Sequence, residues 1–265
     1  MRKQFELKNE PIGDAYHLLT VAFLLRRAGE EVAVRFTDSP KGQELFHFLE
    51  IDLPVPGTGD PTLRLSDTAK IIKKCYSPGC LDALGAKIQE AARSKPWEFP
   101  YPELATEDPK LLIWQRQRHD WKPHRNSTLA LLKDLVKLCR NHGTMPVIMN
   151  GPKHGICEHE LGDYYDHPFF GTNSLAKQLW FQDELFRRHD AIASVGMMSG
   201  GMDGAPMFFG RKTVYLARRS DVRNRMLKVS PAVPNLMWQP VEYQGDFEKL
   251  TPAQLTELEK TLWPG

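Results

Sequence analysis

The chain has 265 residues, 41% of them hydrophobic and 26% charged, with a formal net charge of +2. That length holds one large domain or two small ones with real cores, and the composition is that of an ordinary globular protein. The charge surplus is too small to indicate a nucleic-acid partner, no apolar run approaches the roughly 20 residues that cross a bilayer, and four cysteines (Cys75, Cys80, Cys139, Cys157) do not make a disulfide framework. The N-terminal stretch MRKQFELKNE lacks the apolar core of a signal peptide, so the expected setting is the reducing cytoplasm.

In chain order, KQFELK reads as a strand and NEPIGDA as a loop. A helix follows with Ala15, Leu18, Ala22 and Leu25 on one face, ending at Gly29, before the strand EVAVRF. KGQELFHFLEI is expected to be a second helix, PTLRLS a short strand, and residues 67–94 a longer helical region broken by SPG at 77–79. SKPWEFPYPE, at 94–103, sets three prolines among aromatic residues and suits a linker. A domain boundary is placed near residue 106, giving units 1–106 and 107–265.

The second unit opens on the strand KLLIWQ and the polar loop RQRHDWKPHRN. A helix over 127–142 carries Leu129, Leu132, Val136 and Cys139 at helical spacing, with Asn126 or Ser127 as its cap and Gly143 as its stop. Then come the strand MPVIMN, an irregular polar stretch over 151–168 and the helix NSLAKQLWFQDELFRRHD, in which Trp180, Phe181, Leu185 and Phe186 read as core. The strand AIASVGM, a glycine turn, the short helix APMFFG and the strand KTVYLA follow, and a terminal helix, PAQLTELEKTL, is capped by Thr251. Strands alternating with helices predict an α/β fold: two Rossmann-like domains whose parallel sheets face each other across a cleft.

Open parallel sheets bind ligands at the carboxyl ends of their strands, and three loops there attract attention. The turn holding Ser199, Gly200, Gly201, Asp203 and Gly204 is either a plain glycine-rich turn or a cradle whose N–H groups meet a phosphate. Arg116, Arg118, Lys122 and Arg125 form either a solvated basic loop or a diphosphate clamp beside a helix start. Asp14, at the first helix start, is either a cap or a carboxylate facing the second unit. Trp114 and Trp121 flank the basic loop, packing there or stacking on a ligand. His154, Cys157, His159, Asp163, Asp166 and His167 crowd one stretch without the spacing of a strong zinc site, and no D-x-D stands between the relevant strand and helix, so no metal is expected.

IGDAYHLLTVAFLLRRAGEEVAV and MSGGMDGAPMFFGRKTVYL together resemble glycosyltransferases of the GT-B fold, in particular the ADP-heptose (lipopolysaccharide heptosyltransferase) type. Those enzymes place a GD loop before a helix running into LRRAG, and later a D-S-G-x-x-H-x-A-x-x-x-G-K-P segment that holds the donor diphosphate. Ser199, Gly200, Gly210 and Lys212 follow that rhythm, while Asp203 or Gly204 stands where the family has a histidine. LAKQLWFQDELFRRHDAIASVGMMSGG is similar to fucosyltransferase-like enzymes, where a helix, a strand and a glycine turn line the donor site.

The resemblance implies transfer of a sugar from a nucleotide-sugar to a glycan or other hydroxyl-bearing acceptor, with no cofactor beyond the donor itself. It implies that Asp14 is the general base, with His17 the next candidate. Arg116, Arg118, Lys122, Ser199, Gly200, Gly201 and Asp203 would hold the diphosphate, and Asn150 and Gly151, in PVIMNGP, would meet the nucleotide. A nucleotide-sugar epimerase or hydrolase would use the same cradle, and a non-catalytic binding protein would bind without turnover. A nucleic-acid partner is not expected, since aromatic residues interleave the basic loop only sparsely.

Overall fold

A computed structural model describes residues 3–8, 12–37, 80–95, 97–117, 126–163, 166–170, 175–197, 199–217, 233, 235–244 and 247–264. The second helix and the short strand expected within 41–66 lie outside these residues. The chain begins with β1 (Lys3–Lys8), α1 (Ile12–Arg27) and β2 (Val32–Thr37), and the two strands pair in parallel from Lys3 opposite Val32. Helix α2 (Cys80–Arg93) starts just after the SPG break.

A six-stranded, all-parallel sheet follows. Its strands are β3 (Lys110–Trp114), β4 (Met145–Met149), β5 (His159–Glu160), β6 (Ala191–Met197), β7 (Thr213–Ala217) and β8 (Leu236–Pro240). Their order across the sheet is β5-β4-β3-β6-β7-β8. The chain thus builds outward from β3 to one edge, returns to β6 beside β3, and builds outward to the other edge. Right-handed crossovers then dictate which face each helix covers.

Helix α3 (Leu129–Asn141), between β3 and β4, covers one face; α4 (Leu175–Arg188) and the short α5 (Gly204–Phe208) cover the other. Alternate side chains along β3 serve the two faces: Leu111 and Ile113 join the α3 core, Leu112 and Trp114 the α4 core. Such a strand must be apolar on both sides, and all five β3 residues are buried.

Helix α3 begins two residues later than the sequence suggests. Thr128 is its cap, its hydroxyl accepting the Leu131 N–H at 3.1 Å. Asn126 and Ser127, the expected caps, are engaged with Arg116 instead. Leu129, the first residue of the helix and expected on its apolar face, is 43% exposed, and the buried stripe runs through Leu131, Leu132, Leu135, Val136, Leu138 and Cys139. Burial among these side chains pushes the Cys139 thiol up to about 12.

Beyond β8, a pair of short antiparallel strands, β9 (Glu242–Gln244) and β10 (Phe247–Lys249), leads to the C-terminal helix α6 (Pro252–Leu262). Thr251 and Gln254 form a reciprocal capping box at its start. Its far end is pinned where Lys212 donates to the Thr261 carbonyl at 3.0 Å and the Trp263 indole donates to Thr144 at 2.9 Å.

The segment read as a linker is a packed strap. Trp97 meets Trp180 edge-on at 5.6 Å, and Phe99 and Tyr101 lie against Phe181 at 5.4 and 5.3 Å. Trp180, Phe181, Leu185 and Phe186 are buried beneath it, as expected of core residues. Helices α1 and α2 share this same core with α4 and α5. Their contact is close: a Cβ on Gly85 of α2 would stand 1.9 Å from the Phe208 carbonyl oxygen.

Candidate functional site

The chain leaves β3 toward one edge and β6 toward the other, so the carboxyl ends of these neighbours mark the switch point at which open parallel sheets bind ligands. Two segments leave the sheet there: Gln115 to Gln117 after β3, and Ser199 to Asp203 after β6. The second is one turn of 3-10 helix over Gly200–Met202 leading straight into α5.

Glycine is required here by close approach to Trp114. Gly196 lies opposite Trp114 in the β3–β6 register, and a Cβ there would be 2.3 Å from the Trp114 carbonyl oxygen. A Cβ on Gly201 would be 2.9 Å from the indole ring. Trp114 is buried between them, so its role is packing.

Three sequence candidates meet at this turn. The α1 start lies against it, since a Cβ on Gly13 would be 2.8 Å from the Gly200 Cα and 2.7 Å from Asp203 Oδ2. His17 Nε2, one turn further on, is 3.5 Å from the same Asp203 oxygen. The Tyr215 hydroxyl on β7 donates to the other, Oδ1, at 2.6 Å. His17 and Asp203 are both buried, which makes them a clamp beneath the turn instead of groups open to substrate. Burial and the neighbouring Asp203 carboxylate push the Tyr215 phenol well above its ordinary range. Asp14 is the third residue of α1. Ser199, Gly200 and Gly201 remain partly exposed above the clamp.

Arg116 is buried, so at this one position of the basic loop the side chain is not solvated. Its guanidinium donates to the Asn126 side chain at 2.9 Å; its N–H donates to the Ser127 hydroxyl and its carbonyl accepts the Ser127 N–H. These bonds close the base of the loop. Arg118, Lys122, Arg125 and Trp121 lie outside the described residues.

At the end of β4, Asn150 and Gly151 take left-handed backbone angles, with φ of 63° and 92°. The pair turns the chain sharply, and Gly151 backs onto Gln115, whose Cδ would be 3.0 Å from an added Cβ. An open cleft of about 660 Å³ lies here, lined by Gln117, Gly151, Lys153, Leu161, Asp163 and His167 among others. That volume suits a small-molecule ligand. Gln115 and His154 join side chains at 2.8 Å behind it. Among the described residues, no three His, Cys, Asp or Glu side chains converge as a metal site.

The fold is shared with a glycosyl transferase. The crystal structure of the glycosyl transferase family 9 from Veillonella parvula DSM 2008 superposes with a TM-score of 0.51 at 12% identity, covering 90% of this chain and 85% of that one. No protein-family model and no curated protein matches the chain. Among the described residues, no helix is long and apolar enough to cross a membrane.

Sequence reasoning singled out the glycine turn from its place after a strand, and Asn150 and Gly151 through the family resemblance. It missed Gln115, Glu160 and Tyr215, and it named His154 only as one of a polar cluster. Tyr215 sits within an apolar strand, and the partners of the other three are set by loop geometry, which spacing along the chain does not reveal.

Proposed function

We propose that the chain transfers a sugar from a nucleotide-sugar to a hydroxyl-bearing acceptor. The observation that carries this reading is a fold shared with a glycosyl transferase, with a glycine turn after β6 and, past the end of β4, a cleft of ligand size. In this reading the diphosphate lies over Ser199, Gly200 and Gly201, with Arg118 and Lys122 supplying positive charge. The nucleoside extends into the cleft past Asn150 and Gly151. Asp203 and His17 hold the turn from below, and Arg116 holds the loop.

The start of α1 lies against the turn, and Asp14 is the base we assign there. Direct displacement needs a group that takes the acceptor's proton as the diphosphate departs, and a carboxylate is ionised for that task at neutral pH. The basic side chains neutralise the phosphates, so donor binding proceeds without a divalent metal. The wider arrangement would be two Rossmann-like units, 1–106 for the acceptor and 107–265 for the donor.

The test is thermal unfolding with UDP, GDP, ADP and dTDP, followed by product analysis with the matching nucleotide-sugar. A nucleotide at a hundred times its Kd stabilises the native chain by about 2.7 kcal/mol. The expected result is a rise with at least one nucleotide, unaltered by chelator, and sugar transfer to a hydroxyl acceptor. No rise with any of the four sinks the reading, and a rise without turnover leaves a binding protein.

A further inference from the structure

Glu160, the last residue of β5, accepts hydrogen bonds from four successive main-chain amides. One carboxylate oxygen takes the N–H groups of His154 and Gly155, the other those of Ile156 and Cys157, with Gly155 and Cys157 at 3.1 Å. Successive amides converging in this way make a concavity suited to an anion. Here the chain fills it with its own side chain, which is 7% exposed. Burial alone would raise the Glu160 pKa, but the four donors together outweigh it and hold the carboxyl below its ordinary value.

The filled nest fixes one wall of the cleft. Gly151 and Lys153 line that wall, leaving β4 through the left-handed Asn150–Gly151 bend. Further along, the His154 ring ties the segment to Gln115 at the end of β3. The Glu160 carboxylate then gathers residues 154–157 onto β5, and Leu161, the next residue, also lines the cleft and donates its N–H to the Ile148 carbonyl at 3.0 Å. The wall is therefore tied to three strands, and Glu160 makes the largest single set of ties. Without it, four amides need other partners and the wall loses its anchor to β5.

We propose that Glu160 is a positioning residue for nucleotide binding: by occupying the 154–157 amide nest it holds the Gly151–Lys153 wall at the spacing a nucleoside requires. The inference rests on the nucleotide-sugar reading above and adds to it a residue that touches no substrate. Ordering this wall in advance spares the ligand the cost of ordering it on binding.

The experiment measures the affinity of UDP, GDP, ADP and dTDP for the native chain, Glu160→Ala and Glu160→Gln by calorimetry, with amide hydrogen exchange over 154–157. The expected result is a nucleotide that binds the native chain and binds Glu160→Ala about tenfold more weakly, with faster exchange of those amides. Added formate, small enough to enter the vacated nest, restores affinity in Glu160→Ala and leaves the native chain unchanged. Donor KM rises while kcat at saturating donor holds, a split that general loss of stability would not produce. Should Glu160→Ala fail to fold, Glu160→Gln keeps one acceptor oxygen and is expected to show an intermediate loss. Native affinity in the variants, with the amides exposed, overturns the role of Glu160 alone. No binding by the native chain overturns the nucleotide reading and this inference with it.

Discussion

His17 of α1 and Asp203 of the glycine turn face each other at 3.5 Å, both sealed from solvent. The same carboxylate accepts the Tyr215 hydroxyl at 2.6 Å, so one side chain joins the first helix, the turn and β7. A buried acceptor with two partners is sensitive to the loss of either, and the partner left behind is desolvated without compensation. Tyr215→Phe should therefore cost about 1–2 kcal/mol of stability and Asp203→Ala about 3 kcal/mol, read from urea midpoints. Equal midpoints for native and Asp203→Ala would remove the clamp.

Asp14 tests the chemistry. Asparagine keeps the polar side chain at the helix start and cannot take a proton at neutral pH. Asp14→Asn should unfold at the native midpoint while turnover falls about 100-fold or more. Near-native turnover would send the search for the base elsewhere; with His17 buried, a group beyond these two would be needed.

The two ends of the basic loop should respond differently. Arg116 holds Asn126 and is buried, so Arg116→Ala should lower stability by about 1–2 kcal/mol as well as weaken nucleotide binding. Arg118→Ala and Lys122→Ala should weaken binding alone. Calorimetry paired with thermal unfolding separates the cases, and an Arg118→Ala variant with native affinity would take that residue out of the site.

Asp183 on α4 gives a pH-dependent effect. Burial pushes its carboxyl up, against the Gln89 amide of α2 and the Arg187 guanidinium, which pull it down; Glu184 adds to the rise and Arg211 opposes it. A raised folded pKa means that the ionised form is disfavoured in the folded state. The contribution to stability is thus fully present below the ordinary value of 3.8 and is lost as pH rises through the higher folded value. Asp183→Asn keeps an acceptor for Gln89 and carries no charge, so it should be more stable than the native chain at neutral pH. The gain should vanish below the ordinary carboxyl range. A loss of stability at neutral pH would mean that the Arg187 pairing dominates.

The sheet was readable wherever a single strand or helix carried its own punctuation. AIASVGM is β6 residue for residue, and Thr251 announces α6 because a helix cap is local. The start of α3 was misplaced because Asn126 and Ser127 look like caps until Arg116, ten residues back, claims them. Strand β8 escaped notice because Leu236–Pro240 is a short edge strand ending in proline, without alternation or a glycine turn to mark it. At the site, residues that follow a strand could be found from the rule for open sheets. Partners brought together by folding could not: Gln115 meets His154 across 39 residues, and His17 meets Asp203 only because α1 docks on the turn.

The strap gives the molecule an optical gauge of its own assembly. Trp97 and Trp180 hold their indoles 5.6 Å apart and 74° out of plane, close enough for their electronic transitions to couple. That coupling is expected to write a paired band into the far-ultraviolet dichroism, at the long-wavelength edge of the helical signal, which belongs to neither tryptophan alone. Peeling the strap from α4 would erase the band while the helical signal at shorter wavelength held. Loosening of the first half of the chain could then be followed in solution without attaching a dye.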